Sequence, residues 1–356
     1  MNNIDLFKDI YIRVYNDLNK LLNEYNLNIT NNKIGYLKDN LELFKELNSN
    51  GKLIRGFLIS LGYKLGDNTD LSYSYSLSLA YELFQTSILV HDDIIDDDDK
   101  RRGTSTIHYS NFEKYKDYNL DDAKKVSNSI GICMGDYGFY EANKIIINSY
   151  RNDINYFRLL NYYTDIVLKT IEGELIDVCL SFEGKYDLND IDIEKNTMSV
   201  YKLKTAYYTI IGPLSLGMIL AGLDDDKINE LYAFGEKVGV AFQIHDDILG
   251  IFGNVGKVIG SDIKEFKQTI LFSEAIKNDY YKNELLKYYG KQDLSLEDIE
   301  KVRSIFVESG ALKYAEELMN KLYEEAKELL WGILWIKEED KKVLDGFVDY
   351  LKLRDK

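Results

Sequence analysis

The sequence predicts an all-α protein, one large helical bundle spanning residues 1–356 as a single domain, and three observations predict it. Apolar residues recur every three or four positions along nearly the whole chain. Few strand-like runs bounded by turn residues compete with that period. No Pro-, Gly- or Ser-rich linker interrupts it, and Pro213 is the only proline. Helix packed on helix is the architecture that buries such a pattern.

The elements follow in order. Leu6, Ile10, Val14, Leu18, Leu21 and Leu22 set the period of a first helix, and Leu312, Ala315, Leu318, Leu322 and Ala326 repeat it near the other end. The Gly-Asp-Asn-Thr run at 66–69 and the triple Asp at 224–226 mark helix connections, and the acidic stretch 94–103 reads as a helix end running into a loop. From Thr205 to Leu223 no charge occurs, which is close to the length that spans a bilayer. A span there would separate two aspartate clusters that should serve one site, so the run is expected to be buried helix with no transmembrane segment. Pro213 lies inside it and is expected to leave the Thr209 carbonyl without its usual donor, kinking the helix.

Composition narrows the function. A formal charge of −16 argues against nucleic acid or an anionic membrane as the main partner. Two cysteines, Cys133 and Cys179, and no export signal point to a cytoplasmic protein. His91, His108 and His245 do not form a zinc set, and no Walker or Rossmann glycine loop is present.

The chemistry lies in residues 91–103, HDDIIDDDDKRRG, and 245–267, HDDILGIFGNVGKVIGSDIKEFK. Asp92 and Asp96 are four apart, so a helix stacks them on one face with Asp93 beside them. Stacked like charges call for a cation, and hard oxygen ligands used one or two at a time are how proteins hold magnesium with a phosphorylated substrate. The echo of LVHDDII in FQIHDDIL suits two facing helices across one central apolar cavity. An anionic substrate would find its cationic patch in Lys52, Arg55, Arg101, Arg102, Lys204, Lys257 and Lys267.

These residues resemble the motifs of the trans-isoprenyl diphosphate synthases, the polyprenyl synthetase family. The DDxxDxxxxRRG motif is matched by Asp92, Asp93, Asp96, Arg101, Arg102 and Gly103, GKxxR by Gly51, Lys52 and Arg55, the Lys-Thr pair by Lys204 and Thr205, and FQxxDD by Phe242, Gln243, Asp246 and Asp247. The chain departs from the pattern in the Gly253–Lys257 segment, a few residues shorter than usual, in Gln85 where many members have His, and at two further positions. Glu174 replaces the amide of GQxxD while Asp177 is kept, and Gly250 stands where many members carry a third Asp.

The resemblance implies the isoprenoid synthase fold and a magnesium-dependent condensation of isopentenyl diphosphate with an allylic diphosphate. It assigns Asp92, Asp93, Asp96, Asp246 and Asp247 to three magnesium ions, and Arg101, Lys204, Lys257 and Lys267 to the allylic diphosphate. Lys52, Arg55, Gln85 and Arg102 hold isopentenyl diphosphate, with a basic tail, Arg354 and Lys356, closing over it. Thr205 and Gln243 face the developing allylic cation, and a homodimer is implied. A terpene cyclase has no need of Lys52, Arg55 and Arg102, and non-catalytic subunits tend to lose the aspartates kept here.

Chain length should be read on the first-motif helix. At 1.5 Å per residue, Ser87 lies about 7.5 Å from Asp92 and Phe84 about 12 Å, along a path past Ile88. Ser87 is small and is expected to let a fifteen-carbon chain pass, with Phe84 as the floor. The expected product is geranylgeranyl diphosphate, twenty carbons long.

Overall fold

The computed structural model describes residues 2–31, 33, 35–49, 51–188, 192–253 and 260–353. It is all-α, as predicted: 79% of the chain is helical, and the strands among the described residues are the two-residue pair Lys100–Arg101 and Thr104–Ser105. The chain forms two compact units. One comprises residues 9–160 and 216–222, the other residues 1–8, 161–215 and 223–356.

In the first unit the helices Gly35–Ser49, Ile54–Lys64, Tyr75–Ile95, Ile107–Tyr115 and Leu120–Tyr150 follow one another. Tyr75–Ile95 carries the first aspartate motif and packs closely on Leu120–Tyr150. The crossing is tight because the second helix presents glycine: a Cβ on Gly135 would stand 2.2 Å from His91 Nε2, and one on Gly138 2.1 Å from Ser87 Oγ. The side chain of Asn119 accepts from the Asp122 N–H at 3.0 Å and starts that helix, a cap worth about 1 kcal/mol.

The second unit is built on Tyr156–Gly184, Asp225–Phe252 and Ala311–Gly332, with Leu296–Glu308 and Glu338–Lys352 beside the last. Asp224 of the triple Asp caps Asp225–Phe252 by accepting from Lys227 N–H at 3.0 Å. Asp225 and Asp226 then fall in its first turn, where the helix dipole favours them.

The uncharged run behaves as expected in burial and differently in geometry. Residues 205–220 are all buried, and no helix among the described residues is long and apolar enough to cross a membrane. Its irregularity is a π-helix over Tyr201–Ile211, ending just before Pro213. Gly212 N–H bonds to the Tyr207 carbonyl, five residues back. Pro213 then sits at the second position of the α-helix Gly212–Leu220.

Candidate active site

The first motif ends its helix. Ile95 is the last helical residue, and Asp96 caps it with its N–H on the Asp92 carbonyl at 2.8 Å, keeping Asp92 and Asp96 one turn apart. Arg101 reaches back across three carboxylates: its Nε donates to Asp93 at 2.5 Å, and its Nη2 to Asp92 at 3.2 Å and to Asp98 at 3.1 Å. Burial, opposed by Arg101, pushes the Asp93 carboxyl up to about 7. The stretch after the helix is more ordered than a loop. Lys100 pairs with Ser105 and Arg101 with Thr104 in a hairpin. Its two turn residues, Arg102 and Gly103, both have positive φ, 53° and 83°, as a two-residue turn of this hand requires.

The donors of this motif fit magnesium. Asp92 and Asp96 offer hard oxygens on one face, and Asp93 Oδ2 is buried with no hydrogen-bond partner among the described residues. Among those residues no three His, Cys, Asp or Glu side chains form a protein-only metal cage. One or two carboxylates per ion, completed by substrate phosphate, is the magnesium pattern.

The cations expected to hold isopentenyl diphosphate lie in the same unit. Arg102 Nη1 donates to the Leu47 carbonyl at 3.4 Å and lies 3.3 Å from where a Cβ on Gly51 would be. The Lys52 carbonyl accepts from Tyr11 Oη at 2.5 Å, Arg55 is half-buried, and Gln85 is buried. Leu53, between Lys52 and Arg55, is left-handed with φ 51°. Among the described residues the positive-φ residues other than glycine are Leu53, Asp67, Asp97, Arg102 and Phe266. Four of these adjoin predicted site residues. Such backbone costs about 1–3 kcal/mol each and concentrates where function requires it.

The second unit holds the other aspartates. Asp246 is half-buried, whereas Asp247 is buried and has both oxygens engaged. Its Oδ2 accepts from Tyr201 Oη and its Oδ1 from Gln243 Nε2 at 2.8 Å. Tyr201 Oη in turn accepts from Ile270 N–H at 2.8 Å, and Gln243 Oε1 from Thr205 Oγ1 at 2.6 Å. Burial, then Asp262, raises the Asp247 carboxyl well above the carboxylate range. Asp247, expected as a metal ligand, also anchors a chain that orients Thr205 and Gln243.

Lys204 Nζ lies 2.7 Å from Glu174 and 2.9 Å from Asp177. Lys267 adds contacts to Asp177 at 3.3 Å and to Glu265 at 3.4 Å. Burial works against the Asp177 charge, but the two lysines outweigh it and hold the carboxyl below its ordinary range. Two glycines let the π-helix carrying Lys204 come this close. A Cβ on Gly173 would meet Lys204 N at 2.6 Å, and one on Gly239 would meet Ala206 Cα at 2.3 Å. Lys257, Arg354 and Lys356 lie outside the described residues.

Sequence reasoning missed Asp262. A Cβ on Gly250 would stand 3.1 Å from Asp262 Oδ2, so Asp262 occupies the space into which a third motif aspartate would project. Gly250→Asp should therefore set two carboxylates together and lower stability by about 1 kcal/mol, since like charges in contact repel. A melting temperature unchanged in metal-free buffer would contradict this.

On the first-motif helix, Phe84 is fully buried, with ring centroids 5.4 Å from Phe139 and 5.3 Å from Tyr81. Ile88 is half-buried. Ser87 is fully buried, with its Oγ 2.1 Å from where a Cβ on Gly138 would stand.

Comparison with known proteins agrees with this constellation. The polyprenyl synthetase family model matches residues 40–306. Geranylgeranyl diphosphate synthase of Saccharolobus solfataricus is 30% identical, with 85% of this chain and 86% of that protein covered. Geranylfarnesyl diphosphate synthase of Aeropyrum pernix is 28% identical, covering 87% and 92%. The crystal structure of geranylgeranyl pyrophosphate synthase from Corynebacterium glutamicum, complexed with isoprenyl diphosphate and magnesium, superposes with a TM-score of 0.85 at 25% identity, over 99% of this chain and 100% of that one.

Proposed function

We propose, because this chain belongs to the polyprenyl synthetase family of trans-prenyltransferases, that it condenses isopentenyl diphosphate with an allylic diphosphate to give geranylgeranyl diphosphate. The observation that carries the reading is the Arg101 clamp on Asp92, Asp93 and Asp98, which assembles the full first motif at a helix end. By resemblance, both aspartate sets act in that one reaction.

In this reading Asp92, Asp93, Asp96, Asp246 and Asp247 hold magnesium, three ions by resemblance, which when bound neutralises the departing diphosphate. Arg101, Lys204 and Lys267, with Lys257, bind that diphosphate. Lys52, Arg55, Gln85 and Arg102 hold isopentenyl diphosphate, with Arg354 and Lys356 over it, so that proximity replaces a bimolecular encounter. The allylic carbon–oxygen bond breaks, and pyrophosphate leaves with the electron pair. The isopentenyl double bond attacks the cationic carbon, and a proton is lost to the pyrophosphate. Thr205 and Gln243, fixed by Asp247, direct their dipoles at the cation. An apolar interior keeps water from quenching it.

Support for a homodimer comes from the helix Tyr156–Gly184, where Leu168, Ile171, Leu175, Val178 and Phe182 are exposed at helical spacing. Such a stripe is one that a second copy would cover. A cytoplasmic location remains part of the proposal.

Purified protein, magnesium, labelled isopentenyl diphosphate and farnesyl diphosphate should yield a twenty-carbon product by chromatographic sizing. Phe84→Ala, which opens the ring stack with Phe139, should add about one isoprene unit, the length of roughly one helical turn. Thirty carbons or more from the wild type, or an unmoved product from Phe84→Ala, would place the floor elsewhere.

A further inference from the structure

Glu82 is a buried acid beneath the cations of the first unit, and the condensation described above gives it no role. It is 5% exposed and lies on Tyr75–Ile95, one turn before Gln85. Its Oε1 accepts from the Gly56 N–H at 2.7 Å, in the first turn of the helix Ile54–Lys64 that carries Arg55. Gly56 is close-packed there: an added Cβ would meet Glu82 Oε1 at 3.3 Å and Ser78 Cβ at 3.3 Å. Ser78 Oγ closes the junction by donating to the Gly56 carbonyl at 2.8 Å.

We infer that Glu82 is a positioning residue: its buried carboxylate ties the helix bearing Arg55 to the helix bearing Gln85 and serves as the fixed counter-charge of Arg55 and Arg102. Burial raises its pKa, while the Gly56 N–H, Arg55 and Arg102 oppose that rise. A buried charge without such neighbours is too costly to keep. With it, the two guanidinium groups are set before the diphosphate arrives, and less binding energy is lost in ordering them. The inference rests on the assignment of Lys52, Arg55, Gln85 and Arg102 to isopentenyl diphosphate.

Two variants separate charge from hydrogen bond. Glu82→Gln keeps an oxygen for Gly56 and loses the charge; Glu82→Asp keeps the charge and withdraws it by one methylene. Glu82→Gln should raise the KM for isopentenyl diphosphate about tenfold, the effect of losing one charge-assisted contact, with the allylic KM within twofold and the melting temperature nearly unchanged. Glu82→Asp should lower the melting temperature yet restore most of the isopentenyl diphosphate KM. Calorimetric titration with inorganic pyrophosphate in magnesium-free buffer reads the same cations without turnover and should weaken for Glu82→Gln alone. A wild type that binds pyrophosphate but condenses nothing would fail the assigned reaction and leave the counter-charge role standing on the calorimetry. An unmoved pyrophosphate affinity in Glu82→Gln, or equal rises in both KM values, would overturn that role.

Discussion

Asp92→Ala and Asp246→Ala should each lower the condensation rate by about 10³-fold or more, the scale of losing a group that stabilises transition-state charge, while the helices stay folded. Asp92 is one of three carboxylates on Arg101, and the bonds to Asp93 and Asp98 remain when it is cut back. The guanidinium therefore keeps its place. Asp246 is half-buried, and its buried neighbour Asp247 keeps both partners. Circular dichroism and melting temperature should change little in either variant, and saturating magnesium should not restore the rate. Turnover like the wild type in either would remove that carboxylate from the reaction.

Lys204→Ala should have the second largest effect, on two readouts at once. Glu174 and Asp177 would lose the cation 2.7 Å and 2.9 Å away, leaving Lys267 to serve Asp177 from 3.3 Å. Breaking a fully buried pair costs about 3–5 kcal/mol, and the partial exposure of these three side chains reduces that to about 2 kcal/mol. The KM for the allylic diphosphate should rise about 100-fold, since a charge-assisted anchor is lost. Adding Glu174→Gln should recover part of the stability by removing one stranded carboxylate, and none of the KM. Recovery of both together would show that Lys204 acts on the fold alone.

The residues that touch substrate were legible in the sequence because chemistry restricts them to acids and cations at fixed spacing. Asp92, Asp96, Arg101, Lys204 and Asp246 carry their meaning in residue type alone. Supporting residues carry none of that signal. Tyr201 is one of 29 tyrosines, and only the folded chain shows its hydroxyl on Asp247. Glu82 reads as an ordinary helical acid until Gly56 is seen against it, and only the folded chain shows Gly138 against Ser87. The all-α class followed from the apolar period, which local residues set. The π-helix did not, because it depends on Gly173 and Gly239, distant in sequence, letting two other helices approach. Pro213 lies at the end of that π-helix.

The central claim is that both aspartate sets act on one magnesium–diphosphate complex. Calorimetric titration of pyrophosphate into wild type, Asp92→Asn and Asp246→Asn, with and without magnesium, tests it directly. Magnesium should strengthen pyrophosphate binding in the wild type, and both variants should lose that strengthening. Retention of the full magnesium effect in either variant would contradict a shared site.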